Sequence, residues 1–485
     1  MGEADTGPAG ERLVRDFTLR SAVSMAFAFV SPIVALYTIF AIGLSTVGPG
    51  FWWGFPITLA GQMLVALTFG QLASRWPYEG SVFQWSRRLV GDRFGWFAGW
   101  AYIWVLSIAM AAVAYGGAGF VAQVAGVDGA SQTTLVLIAL VLLALATWGN
   151  TQGRHVIKLV VGLCIAAEVI GSIGIGVWLL LFHREHGLGV LTDGLSAAPD
   201  VSFASVPILL AVAYAGWSFL GFESAGSIAE EVREPERAVP KAMAVSLLAV
   251  AGVVMFASLA IILATPDFAA VTKGDVADPV VATLQVQLGE DVTRVLLCLF
   301  VIGFFASLLA IQAAVSRVIW ALAREGQLPA SGWLRRLSGE DRMPTRSILI
   351  TFVTAAIVFA FAGTDIYTTL ITFTSGGFYV VFTFPVIGLA IARIRGRWQP
   401  GPFLSGPLGV AISWAALLWL LVQTINIVWP RGGVEWYVDY APFIVFALLA
   451  VIGAIVRRAT VRGPVAAPGD PTAPGLAQAE PGAGD

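Results

Sequence analysis

Charged side chains are scarce in this 485-residue sequence. Asp, Glu, Lys and Arg together make up 12% of it, whereas hydrophobic residues make up 58%. A soluble globular domain carries about 25% charged residues, and the mean hydropathy here is +0.82. Because a soluble domain has too little interior to bury so much apolar surface, that class is excluded. The composition predicts an all-α polytopic membrane protein.

Cysteine and histidine are also rare. The two cysteines, Cys164 and Cys298, both lie in apolar runs, so neither a disulfide framework nor a metal-binding spacing is indicated. His183 and His186 have a metal-like spacing, but no further ligand lies near them, and an ordinary surface pair is expected. Because the sequence contains no catalytic constellation or cofactor motif, we expect a protein that is not an enzyme and that binds no metal, no cofactor and no nucleic acid.

Long apolar runs dominate what remains. No charged residue occurs from Ser21 to Ser74, which is too long for one span because about 20 residues cross a bilayer. Gly48-Pro49-Gly50 is the natural turn between two spans. Twelve spans are predicted in this way within a transmembrane domain of residues 17–458, near 21–46, 51–73, 95–124, 131–150, 156–182, 205–228, 242–265, 293–322, 346–363, 367–392, 404–429 and 438–456.

The segments outside the spans are polar. Residues 1–16 are predicted to be a cytoplasmic arm and residues 463–485, rich in Pro, Gly and Ala, a disordered cytoplasmic tail. Residues 75–93 are predicted to be a charged loop. With both termini in the cytoplasm, 24 of the 28 Lys and Arg residues fall on the cytoplasmic side. The positive-inside rule therefore favours twelve spans in the cell membrane with both ends inside.

Two predicted spans are interrupted near mid-membrane: the first at Ser31-Pro32 and the sixth between Gly216 and Gly221. Proline removes a backbone hydrogen bond and glycine is costly inside a helix. Paired interruptions at corresponding positions of two halves indicate a transporter site. Exposed amides suit a carboxylate and exposed carbonyls suit an ammonium, so together the breaks predict a receptor for a small zwitterion. The alternative is that Pro and Gly merely kink two packed helices.

The motifs around the sixth span resemble the signature of the amino acid–polyamine–organocation superfamily of permeases. The matching residues are Gly221-Phe222-Glu223, Glu230-Glu231, Pro235 and Pro240-Lys241-Ala242. Two further regions resemble the loops that follow spans 2 and 8 in this superfamily: Gln71 to Pro77 with Gly80-Ser81 and Phe83, and Ser316-Arg317 through Pro329 and Pro344.

This resemblance implies a leucine-transporter-type fold. Residues 21–182 and 205–392 would form a five-plus-five inverted repeat, followed by two more helices at 404–456. It implies a secondary active transporter that moves an amino acid or related small amine by alternating access, coupled to H⁺ or alternatively Na⁺. The alternatives are an obligate exchanger, a choline-, polyamine- or GABA-like permease or, from different classes, a membrane enzyme or a non-transporting membrane subunit. The sequence indicates no oligomeric state.

The resemblance also implies roles for individual residues of the two breaks. Trp217 would be an aromatic gate over the substrate, and Leu220 would offer its carbonyl to the substrate amine; plain packing is the alternative for Trp217. In the superfamily the break in span 1 is usually rich in glycine, but here it reads Ser31-Pro32-Ile33-Val34-Ala35. Pro32 has no N–H, so backbone donors would have to come from Ile33, Val34 or Ala35. The substrate-binding candidates are Ser31, Ile33, Val34, Ala35, Trp217, Phe219, Leu220 and Gly221.

Two carboxylates lie inside predicted spans, where an ionisable group indicates function. Glu223 follows the break in span 6 and is a candidate for gating or proton handling; alternatively, it hydrogen-bonds to the unwound backbone. Glu168 in span 5 would bind Na⁺, carry a proton, pair with an amine substrate, or form a hydrogen bond to a neighbouring helix. Ser307 in span 8 is a weak candidate for a sodium site.

The charged loop after span 6 has two interpretations. Either it forms a cytoplasmic gate network, or it is a solvated loop. The residues concerned are Glu230, Glu231, Arg233, Glu234 and Arg237.

Overall fold

The computed structural model describes residues 17–127, 129–196, 205–276, 278–361, 366–431, 436 and 440–461. The predicted arm 1–16 and tail 463–485 lie outside these residues. Regular secondary structure in the described part is entirely helical, and extended pairing is limited to two isolated bridges, Phe17 with Val232 and Ser338 with Met343.

Eleven helices in the described ranges are long and apolar enough to cross a membrane. They are Leu19–Val47, Pro49–Arg75, Asp92–Val124, Gln132–Thr151, Arg154–Phe182, Pro207–Ser227, Pro235–Ala264, Glu290–Arg324, Thr369–Ile394, Pro407–Val428 and Pro442–Thr460. The helix Thr345–Phe361, 17 residues long, lies where the ninth span was predicted. The predicted twelve-span helical fold is therefore confirmed, and the spans are numbered 1 to 12 below in chain order.

Shorter helices connect the spans. They are Val82–Val90 after span 2, Phe268–Lys273 and Pro279–Leu288 between spans 7 and 8, and Ser331–Leu334 after span 8. The prediction of a loop over 75–93 was wrong in part, because Val82–Val90 is a helix. It forms because Phe83 and Trp85 are buried against the bundle, so tertiary packing outweighs the charges of the neighbouring arginines.

Three spans depart from regular α-helix. Span 1 is divided into Leu19–Val30, Pro32–Tyr37 and Phe40–Val47. Span 6 contains Pro207–Ala215, a 3₁₀ turn over Gly216–Phe219 and a last turn over Ser224–Ser227. The interruptions of spans 1 and 6 lie where the sequence predicted them. Span 5 was not predicted to be irregular, yet a π-helical segment, Val169–Gly174, separates Arg154–Glu168 from Ile175–Phe182.

Candidate substrate site between two broken helices

The break in span 1 is centred on a single residue. Ser31 has φ +45°, in the left-handed region, while its N–H still donates to the carbonyl oxygen of Phe27 at 2.8 Å. The chain then restarts as a helix with Pro32 in its first turn, where proline's missing N–H is not needed. A non-glycine residue in this region is strained, so the surrounding structure must hold it there.

Glu168 supplies much of that restraint. One oxygen of its carboxylate, Oε1, accepts hydrogen bonds from Ser31 Oγ at 2.6 Å and from the backbone N–H of Ile33 at 3.0 Å. The other, Oε2, accepts from Ser172 Oγ at 3.0 Å and also lies 3.1 Å from the Ile33 nitrogen. The residue is 1% exposed. Glu168 therefore hydrogen-bonds to the start of the second half of span 1, and its part in coupling or substrate binding stays a prediction.

The break in span 6 requires glycine at one position. After the 3₁₀ turn, Leu220 is extended and Gly221 has φ +102°. A Cβ atom at Gly221 would also collide with the ring of Phe29 from span 1. Only glycine satisfies both the backbone conformation and this close approach, so the two breaks pack directly against each other.

Glu223 lies at the start of the last turn of span 6. Its Oε1 accepts a hydrogen bond from the hydroxyl of Tyr102 in span 3 at 2.8 Å, and its Oε2 accepts one from the backbone N–H of Gly221 at 3.0 Å. The carboxylate thus holds the unwound backbone in place and links it to span 3. This is the geometry expected of the structural alternative, and proton handling by Glu223 stays a prediction.

Two serine hydroxyls donate hydrogen bonds to backbone carbonyl oxygens of span 1 near its break. Ser218 Oγ donates to the carbonyl oxygen of Ala35 at 2.6 Å, joining span 6 to span 1. Ser307 Oγ, from span 8, donates to the carbonyl oxygen of Phe29 at 2.7 Å. Because buried carbonyls are costly to leave unpaired, these hydroxyls stabilise the irregular backbone in this conformation.

A cavity of about 30 Å³ lies where the two breaks meet. Its volume suits about one water molecule, so this conformation leaves no room there for an amino acid or an amine. Among the predicted site residues, Val34, Trp217 and Leu220 line it, while Ser31, Ile33, Ala35, Phe219 and Gly221 lie in the surrounding backbone. The full lining is Phe29, Val30, Val34, Ala109, Val113, Trp217, Leu220, Ile311, Thr374 and Phe378.

An aromatic cluster joins spans 1, 3 and 8. Tyr37 of span 1 packs on Phe300 of span 8, with ring centroids 4.1 Å apart, and Phe120 of span 3 contacts Phe300 at 5.5 Å and Phe304 at 5.2 Å. Beyond this aromatic cluster lies a more polar cavity of about 420 Å³, lined by residues that include Gln123 and Thr293.

These features follow one another in the same spatial order along two helices, spans 3 and 8. Along span 3, Val113 lines the central cavity, Phe120 belongs to the aromatic cluster, and Gln123 lines the polar cavity. Span 8 passes these features in the reverse chain order: Thr293 lines the polar cavity, Phe300 belongs to the aromatic cluster, and Ile311 lines the central cavity. The cluster, formed by Tyr37, Phe120, Phe300 and Phe304, therefore separates the central cavity from the polar one.

Ion pairs, of which those of Glu231 are buried and that of Glu230 is partly exposed, lie on the other side of the central cavity along span 8. Glu231 accepts hydrogen bonds from Arg154 Nε of span 5 at 2.7 Å and from Arg317 Nε of span 8 at 2.9 Å. Glu230 receives two bonds from Arg324, at 2.7 and 2.8 Å. These groups form the arginine network. Of the five residues predicted to form a network after span 6, Glu230 and Glu231 belong to this one, and their arginine partners come from spans 5 and 8. Arg233, Glu234 and Arg237 are exposed.

Glu79, which the sequence analysis did not single out, joins this network. It is fully buried, its backbone N–H donates to Glu230 Oε1 at 3.1 Å, and within the described residues neither of its own carboxylate oxygens has a hydrogen-bond partner. Burial, followed by the neighbouring charges of Glu231 and Glu230, raises the pKa of Glu79 well above its ordinary value. Its position in a predicted loop concealed it, since loop carboxylates are usually solvated.

The two histidines have ordinary partners. His183 Nδ1 lies 3.1 Å from Gln287 Oε1, and His186 Nε2 lies 2.9 Å from the carbonyl oxygen of Thr265. Across the described ranges, no group of three or more His, Cys, Asp or Glu side chains is arranged to hold a metal ion.

Broken helices that meet at a central cavity, in a bundle of twelve spans, define a membrane transporter. Residues 17–455 match the profile of the family described as amino acid permease, and the chain belongs to that family. It therefore belongs to the superfamily that the sequence motifs resemble, and it is a multi-pass membrane transporter of amino acids or amines.

Relatives of known name are similar over most of their length. The branched-chain amino acid permease BcaP of Lactococcus lactis subsp. cremoris is 26% identical over 374 residues, covering 73% of this chain and 77% of that protein. The amino-acid permease BAT1 of Arabidopsis thaliana is 22% identical, with coverage of 86% and 85%. The low-affinity putrescine importer PlaP of Escherichia coli K12 is 23% identical, with coverage of 77% and 79%.

Proposed function

We propose that this protein is a secondary active transporter that moves an amino acid or a related small amine across the cell membrane by alternating access, with both termini in the cytoplasm. The observation that carries the proposal is the cavity at the meeting point of the breaks in spans 1 and 6, which lies along span 8 between the aromatic cluster and the arginine network. The aromatic cluster closes one side and the arginine network the other.

The proposal gives the predicted residues distinct roles. Trp217 covers the substrate, Leu220 offers its carbonyl to the substrate amine, and Val34 completes the wall. Ser31, Ile33, Ala35, Phe219 and Gly221 shape the backbone that forms the pocket. The inverted repeat of residues 21–182 and 205–392, implied by the superfamily resemblance, supplies the movement that opens each end in turn.

We assign H⁺ coupling to Glu223, because its contacts with Tyr102 and Gly221 join the unwound backbone to span 3. A proton on this carboxylate weakens its ability to accept both bonds. Na⁺ coupling is the alternative, with Ser307 beside the Phe29 carbonyl. An obligate exchanger is a further alternative that shares the same fold and site. A transport role, rather than an enzymatic one, is supported by the permease names of the relatives and by the cavity.

Reconstitution in liposomes tests the proposal. Labelled amino acids and amines are offered to proteoliposomes under an imposed pH gradient and, separately, under a Na⁺ gradient, with empty liposomes as the control. Uptake driven by the pH gradient is the expected result; uptake that requires substrate inside the vesicle identifies an exchanger. Uptake of no compound under any gradient contradicts transport and favours a non-transporting membrane subunit.

A further inference from the structure

The polar cavity beyond the aromatic cluster is large enough to hold a small molecule. Its volume is about 420 Å³, within the range of about 300–1,000 Å³ that is usual for small-molecule sites. The cavity where the two breaks meet has a volume of only about 30 Å³. In this conformation, therefore, an amino acid or an amine fits outside the aromatic cluster and not at the centre.

Two helices present one face each to the polar cavity. They are the connecting helix Pro279–Leu288 and the first turns of span 8, which follow each other in the chain with only Gly289 between them. Residues three, four and seven apart share one side of a helix, and the lining residues have this spacing: Asp278, Val281 and Gln285 on the first, and Glu290, Arg294 and Leu297 on the second. Charges of both signs are thereby placed around one space.

Asp278 is the most buried of the charged residues in this wall, whereas Glu290 and Arg294 are exposed. Its Oδ1 caps the connecting helix by accepting the backbone N–H groups of Val280 at 3.0 Å and Val281 at 3.1 Å. Within the described ranges, no Lys, Arg or His side chain forms an ion pair with Asp278. Burial raises the pKa of Asp278 above its ordinary value, because its charge is partly desolvated and lacks a positive partner.

Other polar groups of the wall also lack partners. Glu290 and Arg294 are one turn apart on span 8, yet among the described residues neither takes part in an ion pair. The side-chain oxygen of Gln123 has no hydrogen-bond partner in the described part of the chain. The charge of Asp278 acts on the hydroxyl of Tyr37, a member of the aromatic cluster. The unpaired carboxylate therefore lies near the barrier that a substrate has to cross.

We infer that the polar cavity is an outer binding site, in which Asp278 holds the ammonium group of the substrate before it passes the aromatic cluster. The inference rests on the proposed transport function and adds a second site to it. An ammonium beside Asp278 supplies the positive partner that the chain does not provide. Amino acids and amines both carry this group, and Arg294 offers a charge that suits the carboxylate of an amino acid and is not needed by an amine.

Protection of a cysteine in the cavity wall tests the inference. In a protein with Cys164 and Cys298 replaced by serine, Gln285→Cys places a thiol in this wall. Its labelling by a membrane-impermeant thiol reagent is measured with leucine, with putrescine and with the panel compound that is taken up fastest. We expect at least one of them to slow labelling at least threefold. Val286→Cys, the adjacent position, is 69% exposed and does not line the cavity, so its labelling should not change.

A matched pair of variants isolates the charge of Asp278. Asp278→Asn removes the charge and keeps an oxygen that caps the helix, because Asn and Asp are similarly good caps, so the half-protecting concentration should rise at least fivefold. Asp278→Ser, another capping residue, repeats the test if Asp278→Asn does not fold. Asp267→Asn is the control, since Asp267 caps the helix Phe268–Lys273 through two backbone N–H groups but is exposed and outside the wall. It should leave protection unchanged.

Two further measurements separate the outer site from the centre and the amino acid from the amine. Trp217→Ala alters the central cavity and should leave the half-protecting concentration for Gln285→Cys within twofold of its original value. Arg294→Gln should raise this concentration for leucine and not for putrescine, because only leucine carries a carboxylate.

The outcomes distinguish the outer site from the transport function. Uptake without protection by any compound overturns the inference and leaves the transport function intact. The inference also fails if Asp278→Asn is protected like the parent protein, if Trp217→Ala shifts protection as much as Asp278→Asn does, or if NaCl at the same concentration protects equally well. Protection without uptake of any panel compound supports the site and overturns the transport function, and the absence of both overturns the two together.

Discussion

The hydroxyl of Ser218 donates a 2.6 Å hydrogen bond to the carbonyl oxygen of Ala35, so that one short side chain ties the break in span 6 to the break in span 1. Both residues are buried, and the carbonyl lies near the end of a half-helix of only six residues. This bond holds the two breaks together directly, in addition to the packing of the bundle around them.

Loss of this bond should therefore loosen the site. We expect Ser218→Ala to lower the free energy of unfolding by about 1–3 kcal/mol, because the Ala35 carbonyl becomes unpaired in a buried place. Thermal unfolding in detergent measures the loss. Ser246→Ala is the matched control, since Ser246 donates to the Met243 carbonyl within a single helix. Equal effects from the two variants would contradict a special role for the Ser218 contact.

Trp217 is expected to contribute binding free energy through its indole face. Trp217→Ala should weaken substrate binding roughly 2- to 30-fold, corresponding to about 0.5–2 kcal/mol for a cation over an aromatic ring. Equilibrium binding to purified protein is the measurement, and Trp217→Phe should retain part of the affinity. Trp148→Ala serves as the control because its side chain is 63% exposed on the outside of the bundle. Full affinity in Trp217→Ala would reduce Trp217 to a packing residue.

Variants of Glu223 and of its partner Tyr102 distinguish a proton-handling role of Glu223 from support of the unwound backbone. Glu223→Gln keeps one oxygen acceptor but removes the ionisable group, so uptake driven by a pH gradient should fall at least tenfold while the fold is retained. Tyr102→Phe removes the contact to Oε1 and leaves the bond from Gly221, and it should slow uptake less. Unchanged uptake kinetics in Glu223→Gln would assign this carboxylate to the structural role alone.

Glu79 should make the stability of the closed form depend on pH. Since its pKa is raised in the folded protein, its contribution to stability is most favourable below about pH 4.5, the value for the unfolded chain, and becomes less favourable as the pH rises through the folded value. Glu79→Gln resembles the protonated acid, so it should unfold at a higher temperature than the wild type at pH 7–8.

Melting temperatures measured from pH 4.5 to pH 8 test this expectation. The difference between Glu79→Gln and the wild type should shrink towards the acidic end, and Glu236→Gln, at an exposed acid on the same side, should show no such trend. A difference that stays constant across this pH range would show that the pKa of Glu79 is the same in the folded and the unfolded protein. The neighbouring Glu230, Glu231, Arg317 and Arg324 shape the curve in every variant.

The aromatic cluster should control access to the cavity from the side opposite the arginine network. In a protein with Cys164 and Cys298 replaced by serine and Ile311 replaced by cysteine, we expect Phe300→Ala to speed labelling by a membrane-impermeant thiol reagent. The reason is that Phe300 contacts both Tyr37 and Phe120. Phe305→Ala, five residues further along the same helix and outside the aromatic cluster, should not change the rate. Equal rates for the two variants would place the barrier elsewhere.

The overall architecture was predictable because its causes are local. Apolar length specifies each span, and Ser31-Pro32 and Gly216 to Gly221 mark the breaks by residues that disfavour continuous helix. The residues that contact the buried carboxylates Glu168 and Glu79 were not predictable. Nothing in the spacing of Glu168 and Ile33 indicates that a span-5 carboxylate caps a span-1 half-helix, because such contacts depend on how distant segments pack. Glu79 was missed for the same reason, since its burial comes from spans 6 and 8.

The isolated bridge between Phe17 and Val232 joins the residues just before span 1 to those just after span 6. The Phe17 N–H donates to the Glu231 carbonyl at 2.9 Å, and the Arg233 N–H donates to the Phe17 carbonyl at 2.8 Å. The beginning of span 1 and the end of span 6 are thereby fastened to each other outside the site. Because the side chain of the same Glu231 is held by Arg154 of span 5 and Arg317 of span 8, these bonds connect the segments flanking spans 1 and 6 to spans 5 and 8 as well.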